Sequence, residues 1–420
     1  MKKSFLVCTL LLLGLQTLRS QEVINMMFYN ILRYPTVGDA SRIDDLQAIL
    51  EFSEPDLFMI CELNNETGAN NIETMMQTLN PNYVAAPYWD TVSDDTGNNS
   101  NELQNLIFYD NTKFILEDQD VVVTYLRDFN HYTLKLNTVN QNTDPILIHV
   151  FVCHLKASSG STNEQLRLDM ALDFTTYLNS LNSDAHVILA GDFNVYSDNE
   201  PAYQEFLNQN NVITLLDPAE RPGEWHNNVD FIDVWSQSTH ATAGGSYSSG
   251  GFDDRFDFIL ASGNVLDGSI FSYVQGSYVS VGNNLNPNCF NQSINSSDCD
   301  GVLYDLALRE HLFNMSDHLP IQMQLSFSDN FLNMPSYELN NKDFELEFNQ
   351  VEGILKVEVN SRIFGNESYL LIYNIMGQLI SETAVGTDST IFIQTDSLAA
   401  GQYMLKSNLS DYPPQKFIKY

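Results

Sequence analysis

The first 325 residues are broken into short apolar runs, and run after run stops at a polar residue that no turn requires. Val23 to Tyr29 ends at Asn30, Leu57 to Cys61 delivers Glu62, and Ile146 to Cys153 ends at His154. Val187 to Ala190 is followed by Gly191 and Asp192, Phe256 to Leu260 carries Asp257, and Leu319 to Leu325 follows Ser316, Asp317 and His318. Apolar runs this short, bounded by polar residues, describe buried strands. Amphipathic stretches lie between them. Ser41 to Phe52 sets Ile43, Leu46, Ile49 and Leu50 on one helical face before Pro55 stops it, and Thr162 with Gln165 reads as a capping box. The helix it opens turns Leu166, Met170, Phe174, Tyr177 and Leu181 inward. Strands mixed with helices in this way predict an α/β fold.

The pattern changes after Ser326. Residues 329–340 read as a linker, and 341–420 as a small β-sandwich with strand-like runs at Ile354 to Val359, Tyr369 to Tyr373, Thr390 to Ile393 and Tyr403 to Lys406, punctuated by Gly365, Gly377, Gly386 and Gly401. At the other end, Lys2 and Lys3, an apolar run from Phe5 to Leu15 and a polar close at Ser20 predict a secretory signal peptide over residues 1–20. A membrane anchor is the alternative, but the run is shorter than the roughly 20 residues a spanning helix needs. The catalytic unit is expected over residues 21–328, exported and without a membrane span. Of the 5 cysteines, Cys8 leaves with the signal. Cys289 and Cys299 bracket a loop rich in Asn and Ser and are expected to be bonded; Cys61 and Cys153 fall in strands as buried thiols. No Cys or His spacing suggests a zinc site.

The formal charge of −35 becomes −38 once Lys2, Lys3 and Arg19 are removed. Such a charge favours a soluble monomer and opposes tight, sequence-specific DNA binding, which Lys and Arg supply. It leaves room for a hydrolase, because a bound metal provides a local positive site.

Asn30, Glu62, His154, Asp192, Asn194, Asp257, Asp317 and His318 are the groups that phosphate-ester hydrolysis needs. Charge develops on phosphoryl oxygens in the transition state, and a hard cation such as Mg2+, Mn2+ or Ca2+ held by oxygen ligands absorbs it. Asn30, Glu62 and Asp317 suit that task. Holding and deprotonating a water calls for a His with a carboxylate that fixes its tautomer, and Asp257 is the candidate partner of His318. Taken singly, Gly-Asp-Phe-Asn and Ser-Asp-His also read as turns or helix caps. His149, His186, His240 and His311 lack such a setting and read as structural or solvated.

Glu62 after a Pro-Asp strand, His154 in His-Leu-Lys, Gly-Asp-Phe-Asn at 191 to 194, Arg255 to Ile259, and Ser-Asp-His-Leu-Pro at 316 to 320 occur in one order. In that order the chain resembles the endonuclease/exonuclease/phosphatase family over roughly residues 22–326. The resemblance implies a four-layered α/β sandwich, two packed mixed sheets flanked by helices. It also implies metal on Asn30, Glu62 and Asp317, water and phosphate positioned by Asp192 and Asn194, and His318 paired with Asp257. His154 is implied to hydrogen-bond the phosphate or protonate the leaving group, as in pancreatic-type deoxyribonuclease. The carboxylate that partners this His in that branch has no secure counterpart here, Glu102 being a candidate. The tail, through Leu370 to Ile380, Leu398 to Leu405 and Lys416 to Lys419, resembles a type IX secretion sorting domain, which implies a secreted or cell-surface enzyme and the type IX machinery as a partner. A sugar- or surface-binding β module is the alternative.

Together these readings predict an endonuclease of low sequence specificity acting on DNA or RNA. A phospholipid phosphodiesterase or small-phosphoester phosphatase is the second reading, and a non-catalytic surface protein the third.

Overall fold

The computed structural model describes residues 22–91, 103–244, 247–328 and 331–332, then 344–346, 350–351, 353–359, 368–374, 378–385, 390–408 and 415–419. The expected signal peptide, most of the expected linker, Glu102, Gly365, Gly377 and Gly386 lie outside the described residues. The chain divides into two compact units, Met1–Leu332 and Asn333–Tyr420. Phe331 belongs to the first because it bridges to Thr138.

The first unit opens a sheet with β1 (Glu22–Tyr34), β2 (Leu57–Leu63), β3 (Tyr83–Ala85) and β4 (Gln104–Asp110). A second sheet takes β5 (Phe114–Val122), β6 (Phe129–Leu136), β7 (Leu147–His154), β8 (His186–Asp192), β9 (Leu215–Leu216) and β10 (Asp257–Ser262). The chain then returns to the first sheet with β11 (Phe271–Tyr273), β12 (Val279–Ser280) and β13 (Ile321–Phe327). Both sheets are mixed: β1 runs parallel to β2 and antiparallel to β13, and β7 runs parallel to β8, which is antiparallel to β10.

Ile60, Ile107 and Met323 of one sheet share an apolar cluster with Tyr132, Val150 and Ile188 of the other, so the sheets pack face to face. On the far side of the second sheet, Phe151, Leu189 and Phe258 are covered by α3 (Ser161–Leu178) and the short α4 (Pro201–Phe206) through Met170, Phe174 and Phe206. The first sheet is covered by α1 (Arg42–Ser53), α2 (Glu66–Leu79) and α5 (Leu306–Met315), with Leu46, Ile49, Ile72 and Leu312 fully buried. The result is the expected four layers.

The capping box does not form. α3 begins one residue earlier than Thr162, with Gly160 as its N-cap at φ +101°, so Thr162 already lies inside the first turn and no side chain caps the end. Met170 and Phe174 are buried as expected; Arg167, Ala171 and Leu178 join them, while Leu166, Tyr177 and Leu181 are only partly covered. Cys289 and Cys299 are joined, and Cys61 and Cys153 are free and buried. No helix among the described residues is long and apolar enough to cross a membrane.

The second unit contains only strands among its described residues, arranged in sheets of three and five. Leu355, Val357, Leu370, Ile372, Leu405 and Phe417 share one apolar cluster between them, the core of a small β-sandwich.

Phe174 is fully buried with its ring centroid 5.0 Å from Phe129 and 5.1 Å from Phe151. Phe174→Ala is therefore expected to lower stability by about 3–5 kcal/mol, read as a fall in the urea midpoint with the slope unchanged.

Candidate active site

Strand register gathers the polar ends. Asn30 is level with Cys61, which places Glu62 one step on, and His154 is level with Asp192, which faces Asp257 across the next ladder. Parallel strands carry their C-terminal ends to one edge, so the residues emerge together. Glu62 reaches the pocket because the β2 ladder is interrupted between Ile60 and Leu63, with Glu62 itself at φ +58°. Asn194 is likewise left-handed at φ +53°. Non-glycine residues pay roughly 1–3 kcal/mol for such a conformation, and it persists only where the surroundings hold it. Gly191 is required for a different reason: a Cβ there would lie 2.6 Å from the Cys153 carbonyl and 2.5 Å from its sulfur.

The Asn30 amide nitrogen donates to Glu62 Oε1 at 3.1 Å and to Asp192 Oδ2 at 3.0 Å. Its oxygen accepts from the Leu32 amide, so Asn30 turns its nitrogen rather than its oxygen toward the carboxylates. His318 Nδ1 lies 2.7 Å from Asp257 Oδ2, and the Ser236 hydroxyl donates to the same oxygen at 2.6 Å. That pairing leaves His318 Nε2 facing the pocket, 3.7 Å from Asp192 Oδ2 and 2.5 Å from the Gln237 side-chain nitrogen. His154 Nε2 sits 3.5 Å from Asp192 Oδ2 and 3.9 Å from Glu62 Oε1, while its Nδ1 is buried without a hydrogen-bond partner among the described residues. Asn194 donates to the Leu155 carbonyl at 3.3 Å. Asp317 accepts the Ser248 amide on Oδ2 at 2.8 Å. All eight expected residues therefore line or underlie one cavity of about 300 Å³.

The electrostatics of this cavity are unbalanced. Burial first, then Asp257 and Glu62, push the Asp192 carboxyl up to about 7, with His318 opposing them. Burial and Asp317 raise Glu62 as well. His318 is held well above the usual imidazole range: burial disfavours its charge, but Asp257 and Asp192 outweigh that. Burial, Arg127 and His318 drive His154 well below that range. Glu62 Oε2 and Asp317 Oδ1 are buried and accept no hydrogen bond among the described residues. Oxygens left without donors in a crowd of carboxylates are what a hard cation satisfies. Glu62, His154 and Asp192 also bring ligand atoms within 4.8 Å of one another, as do Asp192, Asp257 and His318. The donor set fits a divalent ion.

The family profile described as Endonuclease/Exonuclease/phosphatase matches residues 27–318, which spans the whole constellation from β1 to His318. The chain belongs to the endonuclease/exonuclease/phosphatase family. Members of the endonuclease/exonuclease/phosphatase family are phosphoester hydrolases that typically use a divalent metal. No curated protein matches the chain. Among solved structures, the human Nocturnin catalytic domain with bound sulfate is similar at 16% identity over 73% of this chain and 98% of that one, TM-score 0.45. An endonuclease/exonuclease/phosphatase from Bacteroides vulgatus is similar at 13% identity over 73% and 100%, TM-score 0.45. The mannosyl-6-phosphatase of Bacteroides thetaiotaomicron is similar at 15% over 72% and 100%, TM-score 0.42.

Several pocket residues lie outside the strand-end rule: Arg33, Arg127, Ser236, Gln237 and Ser248. Arg127 is held by the Leu155 carbonyl at 2.7 Å and lies beside His154. Arg33 sits near the end of β1, and the other four come from loops, where the apolar pattern gives no signal. Gly191→Ala should force β7 and β8 apart and cost about 1–3 kcal/mol, visible as a lowered melting temperature.

Proposed function

We propose that the chain is an exported, divalent-cation-dependent phosphodiester hydrolase that cuts nucleic acid as an endonuclease of low sequence specificity. The observation that carries the hydrolytic part is that Glu62 Oε2 and Asp317 Oδ1, buried at the cavity that His318 lines, accept no hydrogen bond among the described residues. Glu62 and Asp317 would hold the ion; Asn30, expected as a third ligand, has its oxygen taken by the Leu32 amide and instead steadies Glu62 and Asp192 through its nitrogen. When bound, Mg2+, Mn2+ or Ca2+ supplies positive charge to the phosphoryl oxygens.

The chain's own groups do the rest. Ser236 fixes Asp257, Asp257 fixes the His318 ring, and the pocket-facing Nε2 is placed to exchange a proton with water. Asp192 and Asn194 position that water and the phosphate, and His154 and Arg127 hydrogen-bond phosphoryl oxygens. Low sequence specificity is supported by a cavity that presents phosphate-binding groups and, among the described residues, no helix or strand projecting from its rim to enter a groove. The apolar run after Lys2 and Lys3 supports export, and the tail motifs support a type IX sorting role for residues 341–420, with the mature enzyme secreted or held at the cell surface.

A small-phosphoester or phospholipid substrate is favoured by one observation. A neighbouring cavity of about 690 Å³, joined to the catalytic one through Tyr196, is lined by Glu164, Glu200 and Glu224 and by no Lys or Arg. Faster release of phosphate from sugar phosphates, or of phosphocholine from sphingomyelin, than nicking of plasmid would select it.

With magnesium present the protein should nick plasmid DNA, EDTA should stop it, and Glu62→Ala or Asp317→Ala should each slow it by about 100-fold or more. Asp192→Ala and His318→Ala are expected to do the same. Turnover unchanged in Glu62→Ala removes the assignment.

A further inference from the structure

Three aromatic side chains among the described residues of the first unit stand open to solvent: Phe52, Trp89 and Tyr125. Phe52 lies at the far end of α1 from the site and packs edge-on against Tyr304. The other two lie at the catalytic end. Tyr125 sits in the turn from β5 to β6; β6 runs antiparallel to β7 with Asn130 opposite Val152, so the turn stands where His154 leaves its strand. Two residues on, Arg127 lines the catalytic cavity. Trp89 precedes Thr91, whose hydroxyl donates to Gln104 at 2.9 Å; Gln104 is level with Leu63, the neighbour of Glu62, and Leu103 lines the cavity.

The Tyr125 turn is tied down. The Thr124 amide donates to Asp128 at 2.9 Å, the Thr124 hydroxyl to the Arg127 carbonyl at 2.8 Å, and the Asn105 amide to the Asp128 carbonyl at 3.1 Å. Leu126 is buried between them, while Tyr125 and Val123 remain 77% and 74% exposed. The turn therefore holds the Tyr125 ring out in solvent two residues from Arg127.

The charge around the cavity fixes which partner. Arg33 and Arg127 line the catalytic cavity among its carboxylates, whereas the adjoining one is lined by Glu164 and Glu224, by Glu200 paired with Arg167, and by no Lys or Arg. One row of phosphates is accommodated; the second row of a duplex meets carboxylates. We propose that Tyr125 and Trp89 are stacking platforms for unpaired bases, so that the preferred substrate is a single-stranded nucleic acid whose scissile phosphate enters beside Arg127. This rests on the nuclease reading above. Stacking suits a strand of any sequence, because every base offers a π face.

The test uses the full chain with magnesium, a labelled 12-residue single-stranded DNA, its duplex, and bis(p-nitrophenyl) phosphate as an ester without bases. The single strand should be cut about tenfold faster than the duplex, and Tyr125→Ala should lower kcat/KM for the single strand relative to bis(p-nitrophenyl) phosphate by about tenfold, with Trp89→Ala acting in the same direction and Tyr125→Phe near the parent. Fluorescence anisotropy of the single strand in EDTA should show the same weakening without turnover. A Tyr125→Ala chain that binds and cuts the single strand like its parent overturns the proposal, and so does equal cutting of duplex. Binding to phosphatidylcholine vesicles containing sphingomyelin that is lost in Tyr125→Ala, with DNA cleavage unchanged, assigns the rim to lipid and overturns it too. Equal cutting of both DNAs sinks this inference alone; hydrolysis of bis(p-nitrophenyl) phosphate without any DNA cleavage sinks the nuclease reading with it, and no hydrolysis of either sinks the catalytic reading beneath both.

Discussion

Glu62, Asp192 and Asp317 line one cavity, and Asp257 is buried behind His318 beside it. Burying a charge costs several kcal/mol unless it is paired or hydrogen-bonded. Asp257 is paired through one oxygen with His318 and Ser236, and Asp192 is bonded by Asn30, but among the described residues Glu62, Asp317 and Asp257 each keep one oxygen without a donor. The rest of the first unit serves to hold that arrangement in place. A looser scaffold would let the carboxylates separate or swing into solvent.

The scaffold resists through its sheets and through buried arginines that lock the loops between them. Arg255 is fully buried, donates to both oxygens of Asp217 at 2.8 and 2.9 Å, and lies 4.2 Å from the Phe258 ring centroid, which fixes the chain on either side of Asp257. Arg167 bonds Glu200 twice and the carbonyls of Lys156 and Ser158, so α3 grips the loop that follows His154. Arg42 reaches the carbonyls of Ile31 and Met315, joining the segment after Asn30 to the one before Asp317. Guanidinium groups suit this work because five donors in a fixed fork satisfy several carbonyls at once.

Much of this was legible in the sequence, for a physical reason. Strands β1, β2, β7, β8 and β10 are buried on both faces and therefore read as continuous apolar runs, so a polar residue at their ends stands out. The outer strands carry no such signal: β5 has its middle exposed, and β6 mixes Asn130, His131, Thr133 and Lys135 into its run. α2 hides behind Gly68, Asn70 and Asn71, poor helix formers whose cost tertiary packing of Ile72, Met75 and Met76 offsets. Within the site, the residues of regular strands were readable, while Arg127, Ser236 and Gln237 were not, because their placement depends on loop paths and long-range hydrogen bonds. The orientation of Asn30 belongs to the same class, since only the assembled pocket decides which end of an amide faces a carboxylate.

The central claim is that these carboxylates are arranged for a divalent ion. Thermal unfolding of the full chain, measured while manganese is added to metal-free protein, tests it most directly, because an ion that binds only the folded state raises the melting temperature with concentration. The account predicts a saturable rise that is absent in Glu62→Ala. An equal rise in that variant, or no rise in the parent, would contradict it.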